Sequence, residues 1–264
     1  GTLTGVYALN VTGLLSWSGG TMSGAGTTYA NGQMLITGYA TNVLGASTGA
    51  ARTLINNGDA TWDNGSIDAR RVENLFINSN SGTLTLSAAV SYLYGTFHNE
   101  GTLVVALPSS STARFYYNGR FDNSGTVDVQ QGRLEISDDG DHSGSFTIAT
   151  GASAELYFGG GTQTLQSGST ITGNEVSFGG GTGTVIEFQA GSSYEVLHTT
   201  MGSSNVSFLE GSLFDSSESI TITAGTLSLD TIDLSVPLTT NSYTQSGGTL
   251  TGVYALNVTG LLSW

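Results

Sequence analysis

The sequence predicts an all-β protein of the β-solenoid type, in which coils of about 19–24 residues stack in parallel. Two observations lead there. Short phrases recur at a nearly fixed interval. Within each interval, apolar and polar residues alternate over three to five positions between clusters of Gly, Asn and Ser. Alternation with period two marks a strand with one buried face, and the clusters mark turns. A β-sandwich shares the short strands and frequent turns. It has no need of the recurring asparagine seen here.

Along the chain the units follow in order. "GTLTG" at Gly1 and "GTMSG" at Gly20 lie one short coil apart. Residues 38–55 fit the pattern poorly, and Tyr39 to Arg52 reads as a loop bulging from the stack. Four phrases then carry an apolar residue, an asparagine and a glycine: "INNGDATW" at Ile55, "FINSNSGTLTL" at Phe76, "FHNEGTLVV" at Phe97 and "FDNSGTVDV" at Phe121. Their asparagines Asn57, Asn78, Asn99 and Asn123 recur at two equal intervals and a third that is slightly longer. Stacked at one corner, they are expected to form a ladder hydrogen-bonded to backbone and to each other.

Ala69 to Phe76 is the best helix candidate, but it is too short and has no apolar stripe. Strand alternation is clear at Leu84-Thr85-Leu86, Val127-Asp128-Val129, Leu134-Glu135-Ile136 and Phe146-Thr147-Ile148. "FGGGTQTL" at Phe158 and "FGGGTGTV" at Phe178, one coil apart, read as tight corners. Residues 197–219 fit poorly. Ile220-Thr221-Ile222 and Leu227-Ser228-Leu229 resume the alternation, and "GTLSL" at Gly225 precedes "GTLTG" at Gly248 by one coil. Pro108 and Pro237 are expected in loops or at strand ends.

The chain closes on the words that open it: residues 1–17 and 248–264 are identical, "GTLTGVYALNVTGLLSW". Residues 1–264 therefore read as a single solenoid domain, one 247-residue period plus a 17-residue overlap. Solenoid coils bury their core by stacking. Adjacent copies of the same unit, stacked end to end, are the expected partners, with the last coil presenting the surface that the first expects.

Composition narrows the function. The formal charge is −14, and the six cationic side chains are all arginine. Nucleic-acid binding needs a basic patch to neutralise phosphates, so it is not expected. No apolar run approaches a membrane span of roughly twenty residues. With no cysteine, disulfides, thiolate metal sites and cysteine nucleophiles are absent.

The stretches "LSWSGGTMSGAGTTYANGQMLITG" (residues 15–38), "FDNSGTVDVQQGRLEI" (121–136) and "GSFTIATGASAELYFGGGTQTLQSGSTITG" (144–173) resemble repeats of giant bacterial extracellular proteins. These are of the adhesin and autotransporter-passenger type, similar in style to filamentous haemagglutinin. The resemblance implies a right-handed parallel β-helix, a secreted or cell-surface location, and a structural spacer or stalk role in adhesion or surface architecture. It brings no catalytic motif, so no enzyme activity is expected.

Three groups of residues merit attention as sites. Tyr92 and Tyr94 lie one coil before Tyr116 and Tyr117, with Arg114 and Arg120 nearby. Outward tyrosines there would stack on sugar rings, a glycan-binding alternative to the spacer role. Phe97, Phe115 and Phe121 share the cluster, and interior packing claims at least every second ring. Asp138, Asp139 and Asp141 in "SDDGDHSG" are hard oxygen ligands in a Gly-containing turn and form a Ca²⁺ candidate, although EF-hand spacing is absent. No other cofactor is expected. A polysaccharide lyase or hydrolase, the last alternative, would need carboxylates in register. Here Asp122 and Asp128 precede Glu135 by about half a coil, which puts them on neighbouring faces. Arg114 is expected to neighbour Asp138 and Asp139.

Overall fold

A computed structural model describes residues 1–38, 41–45, 50–70, 73–87, 90–151, 153–230, 237–252 and 255–264. Among these there is no helix. The strands stack into a β-solenoid of about 11 coils. Each coil places strands on three faces, and every pairing between coils is parallel. Face one begins with Thr2–Thr4, Gly20–Ser23 and Asn42–Leu44. Face two begins with Leu9–Val11, Thr27–Ala30 and Thr53–Asn56. Face three begins with Leu14–Trp17, Gln33–Ile36 and Asp59–Trp62.

Alternation sets which side chains enter the core. In Thr83–Leu86 the leucines are buried and the threonines face outward. The interior rows become aromatic along the axis: Phe76 and Phe97 lie 5.3 Å apart, Phe97 and Phe121 5.5 Å, and Phe188 and Phe208 stack at 4.1 Å. Residues 197–219, which fit the sequence pattern poorly, are regular strand in two successive coils, within Ser193–Met201, Asn205–Phe208 and Leu213–Ile222. The longest interval on face two runs from Ala30 to Asn56. Within the stretch expected to bulge, Tyr39 to Arg52, Asn42–Leu44 is instead a strand of face one, paired with the coils on both sides, and residues 39–40 and 46–49 of that stretch lie outside the described set. Arg52 at its end is buried. It donates to the carbonyls of Gly5 and Ser23 at 3.3 Å each and to Thr28 Oγ1 at 2.5 Å, tying three coils at one corner.

Several strands bend round a corner without a break. Thr170–Phe178 passes from face three to face one at Gly173, whose φ is 128°. A Cβ there would lie 1.9 Å from the Ile148 carbonyl oxygen of the preceding coil. Glycine is required on both counts.

The asparagine column contains Asn56, not Asn57. Phe76 pairs with Leu54 and Asn78 with Asn56. Asn56 Nδ2 donates to Asn78 Oδ1 at 2.8 Å, Asn78 to Asn99 at 2.9 Å and Asn99 to Asn123 at 2.8 Å. Each also donates to a backbone carbonyl of the next coil: Thr83, Thr102, Thr126 or, for Asn123, Ser145. Asn57 points outward and donates to Asn31 Oδ1 at 2.7 Å. In "LINN" both Leu54-x-Asn56 and Ile55-x-Asn57 match the pattern, and pleat parity decides. Leu54 is inside and Ile55 outside. Below Asn123 the column continues as His142 and then Leu165.

The repeated phrase does not return to its starting register. Leu9 pairs with Thr28 on face two, whereas its counterpart Leu256 pairs with Leu238 on face three. The column on face two runs from Val11 to Gly252 in about 11 coils. A 247-residue period overshoots that interval by six residues, roughly one face. The final coil therefore presents the first coil's residues rotated by one face.

Candidate functional site

Face one carries an outward cluster of aromatic and charged side chains. Its registers place Ser66, Tyr92, Arg114, Glu135 and Tyr157 in one outward row. Asp68, Tyr94 and Tyr116 form the row beside it. The alternate positions Leu93, Ala113, Phe115 and Leu134 enter the core, so the pleat itself turns the tyrosines outward. Phe97, Phe115 and Phe121 from the same stretch of sequence are buried.

The rings meet across coils. Tyr94 and Tyr116 have centroids 4.8 Å apart, Tyr92 and Tyr116 6.0 Å, and Tyr94 and Tyr117 6.4 Å. The Arg70 guanidinium lies 5.6 Å from both Tyr94 and Tyr117, and that of Arg114 lies 6.0 Å from Tyr92. Burial, with the hydrogen bond to Tyr94, pushes the Tyr116 hydroxyl up to about 12, so it stays a neutral donor. Tyr117 is 52% exposed and has φ 82°, followed by Asn118 at 61°. Left-handed backbone at a bulky residue is costly and persists where the surroundings enforce it. Here the turn lifts the Tyr117 ring beside Arg70. Its backbone amides face Asp138, whose carboxyl burial nonetheless pushes up to about 6.

Further along the axis a polar groove of about 490 Å³ opens beside this platform, lined by Ser109, Ser111, Arg133, Glu155, Asn174 and Glu175. Arg133 pairs with Glu155 at 3.0 Å, and its guanidinium lies 3.9 Å from the Tyr157 ring centroid. A Cβ at Gly179 would fall 2.1 Å from the Tyr157 hydroxyl. The first glycine of the second "FGGG" thus makes room for the ring. Glu155 and Glu175 are paired neighbours in successive coils. Burial, then the charge of Glu155, raises the Glu175 carboxyl above its usual range.

Of the residues expected at a glycan site, Tyr92, Tyr94, Tyr116, Tyr117 and Arg114 come together. Arg120 does not. It lies by face two, pairing with Asp122 at 2.9 Å and Asp141 at 2.7 Å. Burial pushes Asp122 up, but hydrogen bonds from His98, Arg120 and the Asp141 amide outweigh it and hold its carboxyl below the usual range. Arg114 pairs with Glu135 at 2.9 Å, not with Asp138 or Asp139. The acidic turn does not converge as a Ca²⁺ site would. Asp138 is buried, Asp139 accepts the Thr162 amide at 2.7 Å and Asp141 meets Arg120. Among the described residues no group of three or more His, Asp or Glu is placed to hold a metal.

Arg70, Arg133, Glu155, Tyr157 and Glu175 belong to the same face, and of these Glu155, Tyr157 and Glu175 lie outside the sequence expectation. A signal is present for some of them. Glu155 and Glu175 each stand three residues before an "FGGG" phenylalanine and share its one-coil interval. No protein-family model, curated protein or solved structure matches this chain, so its role is read from the geometry alone.

Proposed function

We propose that this chain is a spacer segment of a large secreted or cell-surface protein, a non-enzymatic rod of the kind found in giant bacterial adhesins. The observation that supports this is the uninterrupted parallel stack of about 11 coils. At the strand spacing such a stack extends roughly 50 Å. The repeat of residues 1–17 at 248–264 favours tandem copies as partners. Small-angle scattering distinguishes the outcomes: a rod lengthening by roughly 50 Å for each added 247-residue period supports the reading, and a compact particle refutes it.

A second reading has its own support. The tyrosine cluster on face one offers flat ring faces rimmed by hydrogen-bonding groups, which suits a saccharide. The spacer would then also act as a glycan-binding adhesin module. Loss of saccharide binding in Tyr94→Ala, with the β-sheet circular dichroism retained, tests it.

A further inference from the structure

We infer that the saccharide suited to face one is a neutral oligosaccharide lying obliquely across successive coils, and not an acidic glycan. This deepens the saccharide reading and rests on it. The argument is one of charge. Three guanidiniums are described on the platform and groove, and each already faces a carboxylate: Arg70 meets Asp68 at 2.5 Å, Arg114 meets Glu135 at 2.9 Å and Arg133 meets Glu155 at 3.0 Å. The Arg70 contact holds the Asp68 carboxyl below its usual range, so that partner stays ionised. Glu175 adds a fourth carboxyl beside Glu155. A uronate or sulfate entering this surface would have to displace a carboxylate from its arginine, against the field of a chain carrying −14. A neutral sugar meets no such opposition. Its apolar ring face covers Tyr94 and Tyr116, and its hydroxyls bond to paired carboxylates and guanidiniums, which keep unused lone pairs and N–H groups.

The layout sets the direction. Tyr94, Tyr116, Arg133, Glu155 and Glu175 lie in successive coils, with the last three in a row four residues to one side of the tyrosines and the Arg114–Glu135–Tyr157 row between, so platform and groove form one oblique track. From Asp68 to Glu175 it crosses six coils, roughly 24 Å at the strand spacing, which is enough for a short oligosaccharide.

Calorimetric titration of the full chain decides the matter, with a neutral hexose oligomer and a uronate oligomer of equal length as probes, at low and high salt. The neutral probe should bind with an affinity indifferent to salt, and the uronate at least about tenfold more weakly. Tyr94→Ala should abolish neutral binding. Glu135→Gln, which removes the carboxylate charge facing Arg114, should bring uronate affinity up by about tenfold and so raise the ratio of uronate to neutral affinity. Tighter binding of the uronate by the unaltered chain, weakening with salt, would overturn this inference and leave the saccharide reading standing. Binding of neither probe, or self-association through the tyrosine face in sedimentation, would overturn both.

Discussion

Replacing Asn56 by alanine should destabilise the protein far more than replacing its neighbour Asn57. The Asn56 side chain is fully buried. Its Nδ2 donates to Asn78 Oδ1 at 2.8 Å, to the Gly58 carbonyl at 3.0 Å and to the Thr83 carbonyl at 3.1 Å. Truncation removes these bonds and leaves Asn78 Oδ1 buried without that donor. An orphaned buried acceptor costs about 1–3 kcal/mol and each lost bond about 0.5–1.5 kcal/mol, so a total near 3 kcal/mol is expected. Asn57 loses one solvent-edge bond to Asn31, and water replaces it. Less than about 1 kcal/mol is expected. Urea denaturation followed by circular dichroism gives the global difference. Amide exchange at Asn78 and Asn99 shows whether the loss is local to the column, as nearest-neighbour coupling between coils requires. Equal effects of the two substitutions, or a larger one at Asn57, would refute the register and the reasoning.

Other outcomes follow from the same structure. Burial pulls His142 down to about 4, so stability should rise by about 3 kcal/mol as pH increases from 4 to 6.5, where the unfolded chain sheds the proton that the folded chain never took. Burial pushes Asp138 up to about 6, so stability should fall by a similar amount as pH increases from 4 to 6. The two nearly cancel in the unaltered protein. His142→Asn should unmask the fall and Asp138→Asn the rise, and parallel urea-midpoint profiles for the two would contradict the assignment. Gly173→Ala should cost more than about 2 kcal/mol, because the φ of 128° and the Ile148 carbonyl at 1.9 Å both exclude a side chain; a thermal midpoint within a degree of the parent would count against it. In a chain extended by a second 247-residue period, the second tyrosine platform should be turned by about a third of a revolution, and electron microscopy showing the two platforms in line would defeat this.

Much of the solenoid was legible because its chemistry is local. Period-two alternation tells which of Leu84 and Thr85 is inside, and the spacing of Phe76, Phe97 and Phe121 reports the coil length directly. Asn78, Asn99 and Asn123 could be aligned because each follows a phenylalanine by two residues. The tyrosine cluster was legible for the same reason, since Tyr92 and Tyr94 precede Arg114 and Tyr116 by one coil. Legibility fails where two frames satisfy one pattern, as at Asn56 and Asn57. It also fails where partners are chosen by face as well as by interval. Arg114 and Arg120 are six residues apart in sequence. One points from face one to Glu135 and the other lies by face two with Asp122.

The sequence by itself determined the parallel stack, the coil length and the buried rows, because these depend on periodicity alone. The tertiary structure decided which carboxylate meets which arginine, why Asp138, Asp139 and Asp141 diverge, and where the closing phrase sits. Those depend on the position of each corner around the axis. Every coil contributes its own length to that position, short from Val11 to Ala30 and long from Ala30 to Asn56. The same seventeen residues therefore lie on different faces at the two ends of the solenoid.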